Sequence, residues 1–272
     1  MKIFKNKTAL IKEISTKGNL SFIPTMGGFH KGHQYLIKKA KKNNLKVIVS
    51  IYVNPKQFNS KKDFISYPRE KKRDLDILKQ LKVDYVYTPT YKDIYAFKSL
   101  NKIFLHSFSK KMCGTYRKNH FRGVVDIVNR FLEIIKPKYV YLGRKDFQQL
   151  ILISKHISKR KINSKVISCK IIRENNGIAC SSRNKNLNVV QQKIASMVYF
   201  KLKKVKNELK QKKSLKINHK KLYNDFKKIG VNKIDYITLL NKDKITIPKS
   251  SKNKFNIFIA YHLGKIRLID NL

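Results

Sequence analysis

Short apolar runs alternate with amphipathic stretches along the first two-thirds of the chain. Runs typical of buried strands, one of them short, occupy residues 20–24, 46–53, 83–88, 103–106, 139–142 and 166–172. Apolar residues recur at helical spacing over residues 32–42, 70–81, 121–135 and 147–158. This alternation predicts right-handed βαβ units and a parallel sheet covered on both faces. We therefore predict an α/β fold whose first domain, residues 1–174, is Rossmann-like and doubly wound.

The pattern changes after about residue 187. Two amphipathic helices are predicted at 191–210 and 220–228, followed by strand-like segments at 235–240, 255–260 and 265–269. We predict a small α+β domain over residues 175–272, which we expect to close over a site on the first domain. The lysine-rich stretch at 212–216 is interpreted as a solvated loop and not as a nucleic-acid-binding arm.

The charge of the chain is extreme, because 63 Lys and Arg face 16 Asp and Glu and give a net charge of +47 over 272 residues. Such a charge favours a partner with phosphates. However, only ten of the 63 basic residues are arginines, the better readers of phosphates and bases. The lysines also lie on the polar faces of nearly every predicted helix. We therefore attribute most of the excess to an AT-rich coding bias and predict no specific nucleic-acid partner.

Cysteine usage and the N-terminus predict a cytoplasmic protein. The three cysteines form no CxxC pair and are too few for a disulfide framework. The N-terminal residues are basic but interrupted by charges, so they lack the apolar core of a signal peptide. No stretch approaches the roughly 18 apolar residues of a membrane span, so no membrane association is expected.

The segment PTMGGFHKGH at 24–33 carries the first candidate chemistry. It follows a predicted strand and opens a helix through a glycine-containing turn, where backbone N–H groups and the helix dipole favour an anion. Two histidines three residues apart can face one ligand and donate to phosphate oxygens. Metal ligation or a buried core histidine are the alternatives, but the strand, glycine turn and H-x-G-H pattern together favour a nucleotide site.

Six motifs in order resemble the pantothenate synthetases (pantoate–β-alanine ligases), within the HIGH-motif nucleotidylyltransferases. They are PTMGGFHKGH at 24–33, VNPKQF at 53–58, YPREKKRDL at 67–75, HFRGV at 120–124, GRKDFQQL at 143–150 and CSSRNKNL at 180–187. The resemblance implies ATP-dependent ligation of (R)-pantoate and β-alanine through pantoyl adenylate, with release of pyrophosphate and AMP. It implies ATP with Mg²⁺ as a substrate complex, no tightly bound cofactor, and a homodimer with the strand at 47–53 or its neighbours near the contact.

The resemblance also implies site residues. Those implied for ATP binding are Met26, Gly27, Gly28, Phe29, His30, Lys31, Gly32, His33, Gly143, Arg144, Lys145, Asp146, Ile172, Cys180, Ser181, Ser182 and Arg183. Those implied to act on the reacting groups are His30, His33, Lys145 and Arg183. Pantoate and β-alanine are assigned to Asn54, Gln57 and Gln149. Asp74 stands where the family has an acidic residue near Mg²⁺, although phosphate oxygens and water hold most of that ion.

Four residues, at three places in or beside the motifs, depart from the usual family sequence. Arg144 replaces a Glu, Cys180 replaces a Met, and Lys118-Asn119 replace Pro-Gly. If only the backbone of residue 144 faces ATP, Arg144 is tolerable, whereas a Glu that orients Lys145 would be missed. Loss of Pro-Gly predicts a looser loop and weaker exclusion of water from the adenylate.

Two other functions remain alternatives. Another H-x-G-H nucleotidylyltransferase would explain residues 24–33 but not Gln57, GRKDFQQL and SSRN together. A basic nucleic-acid-binding protein would explain the charge, but such a protein concentrates its cations in one patch with aromatic residues between them.

Overall fold

Six parallel strands form the sheet of the first unit, Met1–Ile171, in the computed structural model. The structure describes residues 1–16, 18–211, 215–241, 243, 245–248, 250 and 254–272. The strands are β1 (Lys2–Phe4), β2 (Leu20–Thr25), β3 (Lys46–Ile51), β4 (Tyr85–Tyr87), β5 (Tyr139–Gly143) and β6 (Lys165–Cys169). Their order across the sheet is β1-β4-β3-β2-β5-β6.

The strand order reverses between β2 and β5. From β2 the chain builds outward through β3 and β4, and it returns to lie beside β2 with β5. Ser21 and Phe22 of β2 pair with Tyr139 and Val140 of β5, in parallel. In open parallel sheets, ligands bind outside the carboxyl ends of the strands at such a reversal. The residues that follow β2 and β5 are therefore the first place to look for a site.

Helices cover both faces of this sheet. They are α1 (Lys7–Ile14), α2 (Lys31–Lys41), α3 (Lys61–Ile65), α4 (Lys71–Gln80), α5 (Tyr91–Tyr95), α6 (Cys113–Tyr116), α7 (His120–Ile135) and α8 (Phe147–Lys159). Short 3₁₀ turns lie at Pro55–Gln57, Ser107–Lys110 and Arg144–Asp146.

Successive residues of one strand serve two different cores. Ile48 of β3 packs in the cluster that contains the buried faces of α1, α7 and α8, whereas Val47 and Val49 pack in the cluster of α2 and α4. A strand buried on both faces favours apolar residues at successive positions, which is why the central strands are rich in apolar residues in the sequence. The predicted doubly wound, Rossmann-like architecture is confirmed.

Some predicted elements of the first unit were wrong or missing. Residues 103–106 are not a strand, because the backbone N–H of Phe104 donates to Nδ1 of the buried His156 at 3.1 Å and not to a strand partner. Both β1 and α1 were missed at the N-terminus. The strand β3 lies inside the sheet between β2 and β4, and the expected dimer contact near it or its neighbours stays a prediction.

The second unit, Ile172–Leu272, is built on an antiparallel sheet. Its elements are α9 (Val189–Gln211), α10 (His219–Lys228), β7 (Lys233–Asn241), β8 (Phe255–Leu263) and β9 (Ile266–Asn271). The predicted small α+β fold is confirmed, and the division falls a few residues before the predicted boundary. The predicted loop at 212–216 lies partly outside the described residues. Within the described ranges, no helix combines the length and apolar character needed to cross a membrane.

Candidate active site

The turn between β2 and α2 begins with two consecutive residues in the left-handed region. Gly27 and Gly28 have φ angles of +80° and +64°, which a residue with a Cβ adopts only under strain. Thr25, at the end of β2, donates through its hydroxyl to the carbonyl of Ser50 at 2.6 Å and accepts the N–H of Gly27 at 3.2 Å. The glycine pair thus gives the turn its shape, and Thr25 ties the turn to β3.

Asp74 of α4 reaches this turn from outside it. Its Oδ2 accepts the N–H of Gly28 and its Oδ1 accepts the N–H of Phe29, both at 2.8 Å. The side chain is 1% exposed, and a Cβ on Gly27 would lie 2.7 Å from Oδ2. These contacts favour a role for Asp74 in holding the turn. Its predicted contact with Mg²⁺ stays a prediction.

Two histidines stand at the N-terminus of α2. His30 is its N-cap residue and accepts the N–H of Gly32 through Nδ1 at 3.1 Å. The His30 and His33 rings stack with centroids 4.0 Å apart, and Phe29 packs against His33 at 5.2 Å. Lys31, the first residue of the helix, is exposed. The pair therefore lies where the helix dipole is positive.

The environment of His33 keeps its imidazole neutral. Burial lowers the pKa of His33 to about 4, with Asp146 raising that pKa and Lys145 lowering it. Its Nδ1 is buried without a hydrogen-bond partner. Lys145 and Asp146 of the loop after β5 thus lie within electrostatic range of His33, on the loop after β2, as expected where the strand order reverses.

The loop after β5 carries the second group of predicted residues. Gly143 ends the strand, and Arg144, Lys145 and Asp146 form a 3₁₀ turn that leads directly into α8. Lys145 Nζ lies 3.6 Å from Asp146 Oδ1, and Arg144 Nε donates to Ser168 Oγ at 2.8 Å. Arg144 therefore contacts β6, while Lys145 and Asp146 influence the pKa of His33.

The loop after β3 places Asn54 and Gln57 in different surroundings. Asn54 is fully buried, accepts from the Lys56 N–H and the Tyr95 hydroxyl, and donates to the Gly123 carbonyl at 3.0 Å. Its amide is used within the protein, which favours a supporting role over the predicted substrate contact. The Gln57 amide donates to Met26 Sδ at 2.7 Å. Gln57 thus contacts the turn after β2.

Three residues that the sequence did not single out support this region. His120 contacts the Gln57 carbonyl, and Gly123 lets α7 approach the turn at Pro55–Gln57. Gln148 is buried beside the half-buried Gln149 and bonds the segment around Ser107–Lys110. The HFRGV and DFQQ motifs contain all three, so the signal was present, but polarity alone did not separate supporting residues from ligand-binding ones.

In the second unit, the predicted ATP-binding residues lie on one short segment. Cys180 donates its N–H to the Ile172 carbonyl at 2.9 Å, and its thiol contacts Glu174 Oε1 at 3.1 Å. Ser181 caps the 3₁₀ turn Ser182–Asn186 by accepting the N–H of Arg183. Hydroxyls and a guanidinium are thus grouped on one turn, a set suited to phosphate oxygens.

The structure therefore brings together most of the predicted residues of the first unit. The glycine turn and both histidines lie after β2, Lys145 and Asp146 lie after the neighbouring β5 within electrostatic range of His33, and Gln57 contacts Met26 of the turn. The described residues contain no group of three or more His, Cys, Asp or Glu side chains placed to hold a metal ion.

Comparisons with known proteins match this arrangement over the full chain. Residues 2–272 fit the family model described as pantoate–β-alanine ligase. The pantothenate synthetase of Endomicrobium trichonymphae is 36% identical, over 100% of this chain and 97% of that protein. That of Flavobacterium psychrophilum is 37% identical, over 98% and 95% of the two chains.

Solved structures agree. The pantoate–β-alanine ligase of Francisella tularensis, complexed with "Beta-gamma ATP" and β-alanine, is 36% identical with a TM-score of 0.84, covering 100% of this chain and 97% of that one. Pantothenate synthetase from Thermus thermophilus is 26% identical with a TM-score of 0.90, covering 100% and 99%. The resemblance read from six motifs is confirmed: the chain belongs to the pantoate–β-alanine ligase family.

Proposed function

We propose that this protein joins (R)-pantoate to β-alanine at the expense of ATP. A pantoate carboxylate oxygen attacks the α-phosphorus of ATP, giving pantoyl adenylate and pyrophosphate. The β-alanine amine then attacks the acyl carbon, forms the amide bond and expels AMP. Neither step needs a nucleophilic side chain, because both nucleophiles belong to substrates. Family membership and the grouping of anion-binding residues at the strand reversal support this reaction.

The first step brings a carboxylate against a polyphosphate, so it depends on cations and N–H donors. We assign the phosphates to the N-terminus of α2, His30 and His33, which the helix dipole, the stacking of the two rings and the nearby Lys145 support. Asp146 is assigned to the ribose hydroxyls, since a carboxylate accepts hydrogen bonds from them. Preorganised donors of this kind stabilise the charge that builds on the transferring group.

The protonation state of His33 defines its part in this step. With a pKa of about 4, its imidazole is neutral at pH 7. A neutral ring carries one N–H, which can donate to a phosphate oxygen without giving up its proton. We therefore assign His33 to charge stabilisation and not to proton donation.

The other substrates are assigned to amide side chains. Gln57 and Gln149 can both donate to and accept from the hydroxyls and carboxylate of pantoate. Gln57 contacts Met26 of the glycine turn, which supports its placement near the reacting carboxylate. Ser181, Ser182 and Arg183 are assigned to the phosphates that leave as pyrophosphate. We also propose that the second unit closes over the site, and that Mg²⁺ enters with ATP, bound mainly by phosphate oxygens.

The experiment that tests the reaction measures pyrophosphate release with pantoate present and omitted, together with AMP and pantothenate formation when β-alanine is added. Pantoate-dependent release supports the proposal. The Lys145→Ala and His33→Gln variants should lose most of this release, whereas Lys38→Ala, on the exposed side of α2, should keep it.

Two outcomes would overturn the proposal. Pyrophosphate release that ignores pantoate but needs a different acceptor would indicate another nucleotidylyltransferase. Strong, length-dependent binding of nucleic acid at physiological salt, with no AMP formed, would indicate a nucleic-acid-binding protein.

The family resemblance also leads us to propose a homodimer that works in the cytoplasm. Light scattering after size exclusion tests the dimer, and fractionation of the source cells tests the location.

A further inference from the structure

Two side chains next to α7 converge on a single backbone carbonyl. Nδ1 of His120 lies 2.6 Å from the carbonyl oxygen of Gln57, and Nε2 of the same ring lies 3.0 Å from Arg117 Nη1. Arg117 Nη2 also reaches the Gln57 carbonyl, at 3.4 Å. His120 is 9% exposed. A guanidinium and an imidazole thus both contact the main-chain carbonyl of one residue.

The chemistry of the two partners fixes the tautomer of His120. A carbonyl oxygen only accepts hydrogen bonds, so Nδ1 must carry a proton and donate it to Gln57. A guanidinium only donates, so Nε2 must be unprotonated and accept from Arg117. Each bond requires the same neutral tautomer, and the pair forms a directed chain from Arg117 through His120 to Gln57.

The rest of the turn is held by other contacts. Asn54 donates to the Gly123 carbonyl at 3.0 Å and caps the turn through Oδ1, which accepts the Lys56 N–H at 3.3 Å. A Cβ on Gly123 would lie 2.3 Å from the Lys56 carbonyl oxygen, so the absence of a side chain sets the approach of α7. These contacts hold the start and middle of Pro55–Gln57. The Arg117–His120 pair acts on its last residue.

We propose that Arg117 and His120 are positioning residues that orient Gln57 for pantoate. They fix the Gln57 main chain at the point from which its amide extends, and that amide already contacts Met26 at the glycine turn. This inference rests on the proposed assignment of pantoate to Gln57. A shift of about an ångström in a substrate-binding group costs up to about a hundredfold in rate, so the loss of either contact to the Gln57 carbonyl should have a measurable effect.

Two substitutions of His120 test the two hydrogen bonds of its ring separately. The Asn amide in His120→Asn can place an N–H near the position of Nδ1, while the Gln amide in His120→Gln reaches toward the position of Nε2. We expect His120→Asn to keep the KM for pantoate within about threefold and His120→Gln to raise it about tenfold, because only the first retains the donor to Gln57. The KM for ATP should stay unchanged in both.

Arg117 provides an independent test that leaves the buried ring in place. Arg117→Met should raise the KM for pantoate severalfold, because His120 loses the donor that holds its tautomer. Lys118→Met is the matched control: it removes the neighbouring exposed cation and should leave the KM for pantoate unchanged. Thermal unfolding of every variant identifies those that fail to fold, and Arg117→Met decides the question if neither His120 variant folds.

The inference and the proposed function fail in different ways. Equal effects of His120→Asn and His120→Gln on a folded enzyme, parallel increases in the KM for ATP, or an unchanged KM for pantoate in Arg117→Met would overturn the positioning role. If Gln57→Leu leaves the KM for pantoate unchanged, the assignment of Gln57 itself is wrong.

Discussion

Oδ2 of Asp74 accepts the backbone N–H of Gly28 at 2.8 Å. Asp74 belongs to α4, a helix that follows β3, whereas Gly28 belongs to the turn that follows β2. A buried carboxylate on one helix thus fixes the main chain of the glycine turn of another βα unit. Because both carboxylate oxygens accept backbone N–H groups, replacing one oxygen by an NH₂ group leaves one donor facing another.

We therefore expect Asp74→Asn to lower the free energy of unfolding by about 1–3 kcal/mol and to raise the KM for ATP, because a buried N–H loses its acceptor. Urea unfolding and initial rates at varied ATP measure the two effects. Asp76→Asn, an exposed carboxylate on the same helix, should change neither.

The dependence of stability and activity on Mg²⁺ distinguishes a role of Asp74 in holding the turn from direct binding of the ion. If Asp74 holds the turn, Asp74→Asn loses stability in the absence of both nucleotide and metal. A variant of normal stability that needs a much higher Mg²⁺ concentration would instead place Asp74 at the ion.

A substitution of Gly123 tests the close contact between α7 and the turn at Pro55–Gln57. A Cβ there would lie 2.3 Å from the Lys56 carbonyl oxygen and 2.9 Å from the Gln57 nitrogen. We expect Gly123→Ala to cost about 1–3 kcal/mol of stability, because main chain must move to make room. The KM for pantoate should rise more than that for ATP. Arg122→Ala, exposed on the same helix, is the control, and equal losses of stability in both variants would contradict the steric explanation.

His33 predicts a defined pH dependence. Its folded-state pKa of about 4 is below the usual value of about 6.5, so between these pH values the unfolded chain binds a proton that the folded chain does not. The free energy of unfolding must fall as the pH drops through this window. His33→Gln should reduce that dependence, as measured by urea unfolding at pH 7 and pH 5. Burial also lowers the pKa of His156, so part of the dependence should remain.

Titration of His33 by NMR checks the same group directly. We expect a midpoint near 4 in the free protein and a higher one with ATP bound, because an adjacent anion stabilises the imidazolium. A midpoint near 6.5 in the free protein would show that the ring is solvated.

The Arg144→Glu substitution tests whether an arginine at this position, in place of the glutamate expected from the motif, affects the use of ATP. Its guanidinium donates to Ser168, while Asp146 lies beside Lys145. Since the carboxylate near Lys145 is already supplied by Asp146, we expect Arg144→Glu to change kcat/KM for ATP by less than about threefold, as for an exposed charge. A large gain would show that the basic side chain impairs the site.

The periodicity of the sequence predicted most of the central sheet, for a physical reason. Strands such as β3, buried on both faces, are rich in β-branched apolar residues, and α7 carries its apolar residues at helical spacing. By contrast, β1 has only three residues, two of them exposed, so its pairing with β4 left little trace in the apolar pattern. The apolar pattern at 103–106 resembles that of a short strand, but the Phe104 N–H donates to His156, which is distant in sequence, and not to a strand partner.

The sequence motifs predicted which residues belong to the candidate site, but not what each of them contacts. Motif resemblance pointed to His30, His33 and Lys145, but it did not separate groups that face a ligand from groups that hold a turn. Asn54 and Asp74 are buried and engaged with the protein, which no spacing rule reveals. One departure has a clear explanation: Asn119, where the family has Gly, has a φ of +60°, and Asn tolerates this region better than other residues with a side chain.

The direct pairing of β2 with β5 makes the separation of the loops that follow these two strands a property of the main chain. Neighbouring strands lie about 4.8 Å apart whatever side chains they carry, so the histidines and Lys145 leave the sheet from anchor points that substitution does not move. Surface residues can therefore be replaced extensively, here by lysine, without changing the distance between the ends of these two strands.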